Sequence, residues 1–134
     1  MQIAKGLHRI GSDTVNSYLV VDGDGVTIID AGLPRYWRLL SRELTRLGLT
    51  LDDVRALILT HGDTDHIGFA ARLHREKGIR AYLHPADADR AGQAPDRLAN
   101  AGGELGLFVD AIPAEHDGLL EGPYSHLVRA LRGF

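Results

Sequence analysis

The feature that most constrains the fold is a short apolar run at residues 54–60, which leads directly into a polar segment rich in histidine and aspartate. The run reads VRALILT. Seven residues are too few for a typical helix, and the polar residues on both sides favour a strand that is buried in a sheet. The run therefore predicts an interior strand that ends on the polar segment.

The segments around this strand predict an alternation of strands and helices. Two β-rich runs, residues 16–21 and 26–30, are separated by a DGDG turn and predict an antiparallel hairpin. Apolar residues recur at helical spacing between Pro34 and Gly48, which predicts a helix. A second helix is expected after the polar segment, followed by a strand at residues 79–83. This order of elements predicts an α/β fold.

The last third of the chain has a looser pattern. Residues 91–134 combine sequence rich in Ala, Gly and Asp with two short apolar pieces, and we expect mostly short helices there. No repeat of fixed period interrupts the chain. The chain has 134 residues, of which 44% are hydrophobic and 25% are charged, so it predicts a single domain over residues 1–134.

Charge and composition argue against several classes of partner and site. A net charge of -3 and a pI near 6.1 give no broad positive field for nucleic acid or anionic lipid. The chain has no cysteine, so a metal would need ligands from His, Asp or Glu. The N-terminus lacks the apolar core of a signal peptide, and no stretch approaches the roughly 20 apolar residues that cross a bilayer. We therefore expect a cytoplasmic protein that binds neither nucleic acid nor membrane.

The polar segment concentrates potential metal ligands. His61, Asp63, Asp65 and His66 place two imidazoles and two carboxylates within six residues. Two carboxylates this close repel each other unless a proton, hydrogen bonds or a cation compensates, and a divalent metal is a cation that also binds imidazole nitrogen. The tips of strands in α/β sheets are, in addition, where ligand crevices occur. The four side chains are therefore predicted to be metal ligands.

Local features are expected to fold this segment back on itself. Gly62 and Gly68 permit sharp turns, and a helix that opens near His66 would direct its positive end at the carboxylates. The alternative is that Asp65 or Thr64 caps this helix while the histidines are packed or solvated. The density of ligand-type residues favours the metal site over the cap.

Two parts of the chain resemble the metallo-β-lactamase superfamily. The string LTHGDTDHIG resembles the family signature THxHxDHxG, and NSYLVVDGDGVTIIDAG resembles the family's N-terminal hairpin. The resemblance is clear over residues 1–90. It implies an α/β fold that corresponds to half of a metallo-β-lactamase αββα sandwich, with a mixed sheet and helices.

The resemblance also implies roles for individual residues. His61 would bind a first metal, and Asp65 and His66 would bind a second, with Asp65 also acting as the catalytic residue that orients the attacking water. Asp63 stands where the family usually has its second histidine. A carboxylate at that position makes the site harder, which favours iron or manganese over zinc more than the usual ligand set would.

The implied function is a metal-dependent hydrolase in which a metal-activated water attacks the substrate. The expected cofactor is a divalent metal, with zinc as the first expectation and iron or manganese as alternatives. The substrate would be a small molecule with an ester, thioester, lactone, amide or phosphoester bond. Asp30 and Thr60 are expected to support the ligands. The second interpretation is a non-catalytic half-domain for metal binding or dimerisation.

The ligands that the family takes from its C-terminal half have no counterpart in this sequence. His116 and His126 are not in a matching context and are expected in exposed loops or helices, so the C-terminal half of the sandwich is expected to be absent. One apolar sheet face would then be uncovered, and it would pair with a second copy, with a complementary half, or with residues 100–134. Three other histidines are expected to be structural: His8, His74 and His84.

Overall fold

The computed structural model describes residues 1–83, residue 87 and residues 109–111. The strands are β1 (Gln2–Ala4), β2 (Leu7–Gly11), β3 (Asn16–Asp22), β4 (Gly25–Ile29), β5 (Val54–Leu59), β6 (Ala81–Leu83) and β7 (Val109–Ala111). They form one seven-stranded sheet in chain order. Neighbours are antiparallel from β1 to β4 and parallel from β4 to β7. This mixed sheet confirms the predicted α/β class, the hairpin and the interior strand.

Two α-helices make the connections between the parallel strands β4, β5 and β6. Helix α1 (Trp37–Arg46) follows a 3-10 turn (Pro34–Tyr36), and helix α2 (Ala70–Lys77) ends at Gly78. Gly78 has a φ of +66°, a left-handed conformation that favours glycine and ends the helix. Within the described part of the chain, no helix has the length and apolar character that crossing a membrane requires.

The predicted start of the second helix near His66 is wrong. Helix α2 begins at Ala70, and its N-cap residue is Phe69, which makes no side-chain capping bond. Neither Asp65 nor Thr64 caps the helix, so the alternative interpretation of these residues is wrong as well. Because the field of a helix end falls off within about one turn, the expected support of the carboxylates by the helix dipole loses its basis.

Contacts with the loop after β4 explain why the helix starts late. The His66 carbonyl accepts a bond of 2.6 Å from the Ala31 N–H, and the N–H groups of Gly68 and Phe69 donate to the carbonyls of Gly32 (2.8 Å) and Ala31 (3.2 Å). These backbone groups bond to another segment, so they are not used for helical hydrogen bonds. Helical periodicity alone does not reveal such a contact.

The core lies between one face of the sheet and the two helices. Trp37 in α1 is buried and packs edge-on against Phe69, with ring centroids 6.3 Å apart, and the Arg72 guanidinium lies 4.3 Å above its ring. The largest fully buried side chains are Phe69, Leu19, Ile28, Leu40, Leu44, Leu57, Ile67, Leu73, Leu83, Val26 and Val54.

The opposite face of the sheet carries a smaller apolar cluster. Ala56 and Tyr82 are buried there, and Ile58 packs against them. Among the described residues, the exposed large hydrophobic side chains are Met1 and Ile3, on or beside the edge strand β1. The pairing of this face with a second copy, with a complementary half or with residues 100–134 stays a prediction.

Strand β7 is an exception to the short helices that are expected over most of residues 91–134. Residues 109–111 are extended and pair in parallel with β6, with Ala81 opposite Val109. A short apolar piece has no distinguishing period of its own, so pairing with a neighbouring strand decides its conformation. The other residues of 91–134, including His116 and His126, lie outside the described residues, and so does His84.

A partly buried ionic cluster joins α1 to β2. Arg46 donates to both carboxylate oxygens of Glu43, at 3.0 Å and 2.7 Å. The Nδ1 atom of buried His8 lies 3.2 Å from the same carboxylate and 3.1 Å from the guanidinium. His8 therefore has the structural role that was expected for it.

Replacement of Glu43 by glutamine should destabilise the fold in a pH-dependent way. The hydrogen bond from Arg46 lowers the pKa of Glu43 from 4.5 to about 2. Because the folded pKa lies below the unfolded one, the stabilisation is present above pH 4.5 and is lost as the pH falls towards 2. Solvent screening at the half-exposed Arg46 reduces the contribution to about 1–2 kcal/mol.

Urea denaturation of the wild type and of Glu43→Gln at several pH values measures this effect. The difference in unfolding free energy should shrink steadily as the solution becomes more acidic. Glu76→Gln is the control, because Glu76 pairs with Arg72 on the surface and such pairs contribute little. A Glu43→Gln penalty that is the same at neutral and acidic pH would contradict the assignment.

Candidate metal centre

The candidate site lies at the carboxyl ends of strands β4 and β5. Asp30 follows β4 directly, and Thr60 and His61 follow β5. The two strands are adjacent and parallel, so they end at the same edge of the sheet. This topology brings Asp30 and Thr60 together although they are 30 residues apart in the chain, at a position where α/β proteins commonly bind ligands.

Asp30 has an unusual backbone conformation and a buried side chain. Among the described residues, it is the non-glycine residue with a positive φ, at +60°. The residue as a whole is 5% exposed. Its N–H still donates to the Ile58 carbonyl at 2.7 Å, so the chain leaves the sheet only after this residue. Aspartate is among the few residues that adopt this conformation readily.

The Asp30 carboxylate connects the two segments of the site. Its Oδ1 accepts the Thr60 N–H at 2.8 Å, and its Oδ2 accepts the Thr60 hydroxyl at 2.8 Å. The same Oδ2 lies 2.9 Å from His66 Nδ1. These are the contacts expected of residues that support metal ligands, which is the role predicted for Asp30 and Thr60.

Three of the four predicted ligands converge. His61, Asp65 and His66 are partly buried, and each offers a ligand atom such that all three atoms lie within 4.8 Å of one another. The two imidazole rings have centroids 3.9 Å apart, and His66 Nε2 lies 3.6 Å from Asp65 Oδ2. Ligands of one tetrahedral zinc are about 3–4 Å apart. The geometry and the donor types of this group therefore fit a divalent metal.

Asp63 lies at the margin of this group. Its side chain is 54% exposed, and its Oδ2 is 3.5 Å from His61 Nε2. Its carbonyl accepts the His66 N–H at 2.9 Å, which turns the chain back after Asp63. The geometric group does not include Asp63, so its role as a ligand remains a prediction.

Gly68 lies in a turn, as predicted, but neither glycine of this segment uses a left-handed conformation. The positive φ angles of the site belong instead to the facing loop, at Asp30 and Gly32. Gly68 is needed for a close approach, because a Cβ atom there would overlap the backbone of Gly32 and Leu33. The sequence analysis did not predict this contact between residues 30–32 (DAG) and 66–68 (HIG). The glycine at the end of each segment is the sequence signal that could have indicated a close approach of the two backbones.

The remaining described histidine outside the site is structural. His74 Nδ1 lies 3.2 Å from the Ile79 carbonyl, at the turn between α2 and β6. This confirms the structural role expected for His74.

Curated relatives share sequence over much of this chain. The protein named Probable metallo-hydrolase YqgX from Bacillus subtilis (strain 168) is 30% identical over 113 residues, which cover 84% of this chain and 49% of the relative. Probable metallo-hydrolase YybB from the same organism is 33% identical over 70 residues, 52% of this chain and 30% of the relative. The chain thus spans half or less of the length of these relatives.

Solved structures share the fold. A metallo-β-lactamase with a HARLDQ motif from Cronobacter sakazakii matches with a TM-score of 0.65 and 28% identity, over 83% of this chain and 46% of that one. A β-lactamase from Chitinophaga pinensis matches with a TM-score of 0.66 and 27% identity, over 88% and 45% respectively. The family model of the metallo-beta-lactamase superfamily matches residues 10–130. With the strand-edge site and the matching fold, this match shows that the chain belongs to the metallo-β-lactamase superfamily.

Proposed function

We propose that this chain acts in metal-dependent hydrolysis. The observation that carries the proposal is the convergence of His61, Asp65 and His66 at one edge of the sheet. These side chains would hold a divalent cation, which supplies Lewis-acid activation of water and of a carbonyl or phosphoryl oxygen. Membership of the superfamily and the curated relatives, which are named as probable metallo-hydrolases, support the same function.

Asp65 is the proposed catalytic residue. Its side chain is 45% exposed, so water and substrate can reach it, while its Oδ2 faces His66 Nε2 at 3.6 Å. A carboxylate in this position can accept a hydrogen bond from the attacking water and hold it in one orientation. Positioned groups of this kind typically contribute about 10²–10⁴-fold to a rate.

Zinc is the first ion proposed, because two imidazoles and a carboxylate are a ligand set that catalytic zinc sites use. Asp63 supports iron or manganese as alternatives. Its carboxylate is within 3.5 Å of His61 Nε2, and a further oxygen ligand in place of an imidazole shifts a site towards harder ions.

The proposed substrate is a small molecule with an ester, thioester, lactone, amide or phosphoester bond. Amide bonds are included because the similar solved structures are named as β-lactamases. The proposal includes a cytoplasmic location. It places nucleic acid and membranes outside the partners of the chain, because a net charge of -3 gives no broad positive field.

A second candidate function is metal binding without catalysis, in a domain that pairs with itself or with a complementary half. It is favoured by the origin of the ligands, because His61, Asp65 and His66 all come from one loop after β5. In catalytic sites, three ligands commonly hold the metal and leave a position open for water or substrate. The number of ligands therefore fits a catalytic site as well, and hydrolysis by the metal-loaded chain separates the two candidates.

The test is turnover by the chain loaded in parallel with zinc, iron and manganese. Wild type and Asp65→Asn are compared on a panel of ester, thioester, lactone, lactam and phosphodiester substrates. We expect the substitution to lower kcat/KM at least about 100-fold for the best substrate. Asp52→Asn is the control, because Asp52 is an exposed carboxylate that pairs with Lys77, and it should leave turnover unchanged.

Each outcome of this experiment favours one candidate. Turnover that depends on Asp65 supports the hydrolase. A bound metal without turnover of any substrate supports the non-catalytic candidate. A chain with neither bound metal nor turnover contradicts both.

A further inference from the structure

The hydrogen bonds around Asp30 imply which nitrogen of each site histidine carries a proton. An ionised carboxylate only accepts hydrogen bonds. The short contact of 2.9 Å between Asp30 Oδ2 and His66 Nδ1 therefore requires a proton on this nitrogen. In the neutral imidazole the lone pair is then on Nε2, and it is this atom that faces Asp65 Oδ2.

The Thr60 hydroxyl extends the same constraint to His61. A hydroxyl has one proton, and that of Thr60 is donated to Asp30 Oδ2 at 2.8 Å. Thr60 Oγ1 also lies 2.9 Å from His61 Nδ1. Since the only hydroxyl proton is already used, the oxygen must act as an acceptor in this second contact. His61 Nδ1 therefore carries the proton, and Nε2 has the lone pair.

We propose that Thr60 is a positioning residue that connects Asp30 to His61 through its hydroxyl and fixes the tautomer of His61, so that in their neutral forms both site histidines have the lone pair on Nε2. This role requires a hydroxyl at residue 60, and a side chain of the same size without a hydroxyl would not fix the tautomer of His61. It sets the ligand atom of His61, because a neutral imidazole binds metal through the nitrogen that lacks a proton.

An unprotonated Nε2 beside a carboxylate oxygen is a pair of acceptors, which a cation held between them would satisfy. His61 Nε2 is the atom that lies 3.5 Å from Asp63 Oδ2, and His66 Nε2 is the atom that lies 3.6 Å from Asp65 Oδ2. Both imidazoles thus direct the same ring nitrogen towards a carboxylate oxygen of the loop, while both Nδ1 atoms face the Asp30–Thr60 pair. The inference rests on the proposed function only for the identity of the bound group.

The test uses Thr60→Val, which keeps the branched shape and removes the hydroxyl, and Thr60→Ser, which keeps the hydroxyl. Long-range ¹H–¹⁵N spectra of the metal-free, ¹⁵N-histidine-labelled chain identify the protonated nitrogen, at a pH of about 8.5 where imidazoles in general are neutral. In the wild type and in Thr60→Ser we expect His61 to be protonated on Nδ1. In Thr60→Val we expect the Nε2–H form to dominate, because it is the form that a free imidazole favours in water.

His66 is an internal control, since its bond to Asp30 does not pass through Thr60 and its tautomer should stay the same in all three proteins. Unchanged amide signals of β4 and β5 would show that Thr60→Val is folded. Calorimetric titration with zinc should show about tenfold weaker binding for Thr60→Val and little change for Thr60→Ser, since supporting residues typically contribute 10–100-fold to metal affinity.

Two results would overturn this role of Thr60: an Nε2–H form of His61 in the folded wild type, or an Nδ1–H form that persists in Thr60→Val. The tautomer measurement needs no metal and no turnover, so it separates this inference from the proposed function. A chain with the expected tautomers but without hydrolysis would contradict the proposed function alone. Zinc binding by the chain with the Nε2–H form of His61 would contradict the role of Thr60 alone.

Discussion

Replacing His61 and Asp65 together by alanine should abolish stoichiometric metal binding and leave the fold intact. The double variant removes two of the three grouped ligands. Loss of a supporting residue alone typically weakens metal binding 10–100-fold, so loss of two direct ligands should weaken it by more than about 1,000-fold. Both side chains are partly exposed, at 34% and 45%, and substitutions at such positions cost little stability.

Elemental analysis after dialysis against zinc, iron or manganese measures this effect, and calorimetric titration gives the affinities. The matched control is Asp52→Ala with Glu76→Ala, which removes two exposed carboxylates outside the group and should retain the metal. Metal that stays bound to the His61→Ala, Asp65→Ala protein would show that the ion sits elsewhere. A wild-type chain that takes up none of the three metals would contradict the proposed metal centre.

Gly68→Ala should be the most destabilising single substitution in the loop. A methyl group at this position would overlap the backbone of Gly32 and Leu33. Backbone cannot rotate away as a side chain can, so the two loops must separate, and the bond from the Gly68 N–H to the Gly32 carbonyl is strained or lost. Overpacking of this kind costs about 1–3 kcal/mol, and more when backbone must move.

Urea denaturation measures this cost, with Gly23→Ala as the control. Gly23 lies in the hairpin turn, a Cβ there meets nothing within 4 Å, and its φ is not positive. We expect a loss of about 3 kcal/mol for Gly68→Ala and a change within about 0.5 kcal/mol for Gly23→Ala. Equal stabilities of the two variants would mean that the approach of the loops is not tight. Metal affinity should fall with Gly68→Ala as well, since this contact also positions His66.

The parts of the fold that the sequence predicted are those with a strong local signal. The DGDG turn between two β-rich runs gave the hairpin β3–β4, and the apolar run at residues 54–60 gave β5. Gly78, with its left-handed conformation, marked the end of α2. In each of these cases the residues that define the element are adjacent in the chain, so periodicity and turn chemistry suffice.

The parts that could not be predicted depend on contacts between distant segments. The start of α2 is set by bonds from residues 66–69 to the loop after β4, and the conformation of residues 109–111 is set by pairing with β6. For the site, the sequence identified His61, Asp65 and His66 from their density in one loop. The left-handed Asp30 and its three hydrogen bonds follow only from the adjacency of two parallel strand ends.

The metal ligands and the carboxylate that supports them lie on different loops, and this separation is useful for redesign of the metal centre. Every grouped ligand lies within residues 61–66, whereas the carboxylate that orients the histidines belongs to the loop after β4. Residues 63 and 65 of this six-residue loop can therefore be substituted to change the metal ligands without changing the loop after β4. Each variant would keep the buried Asp30 and the hydroxyl of Thr60, so that the Nδ1 atoms of both imidazoles keep their hydrogen-bond partners.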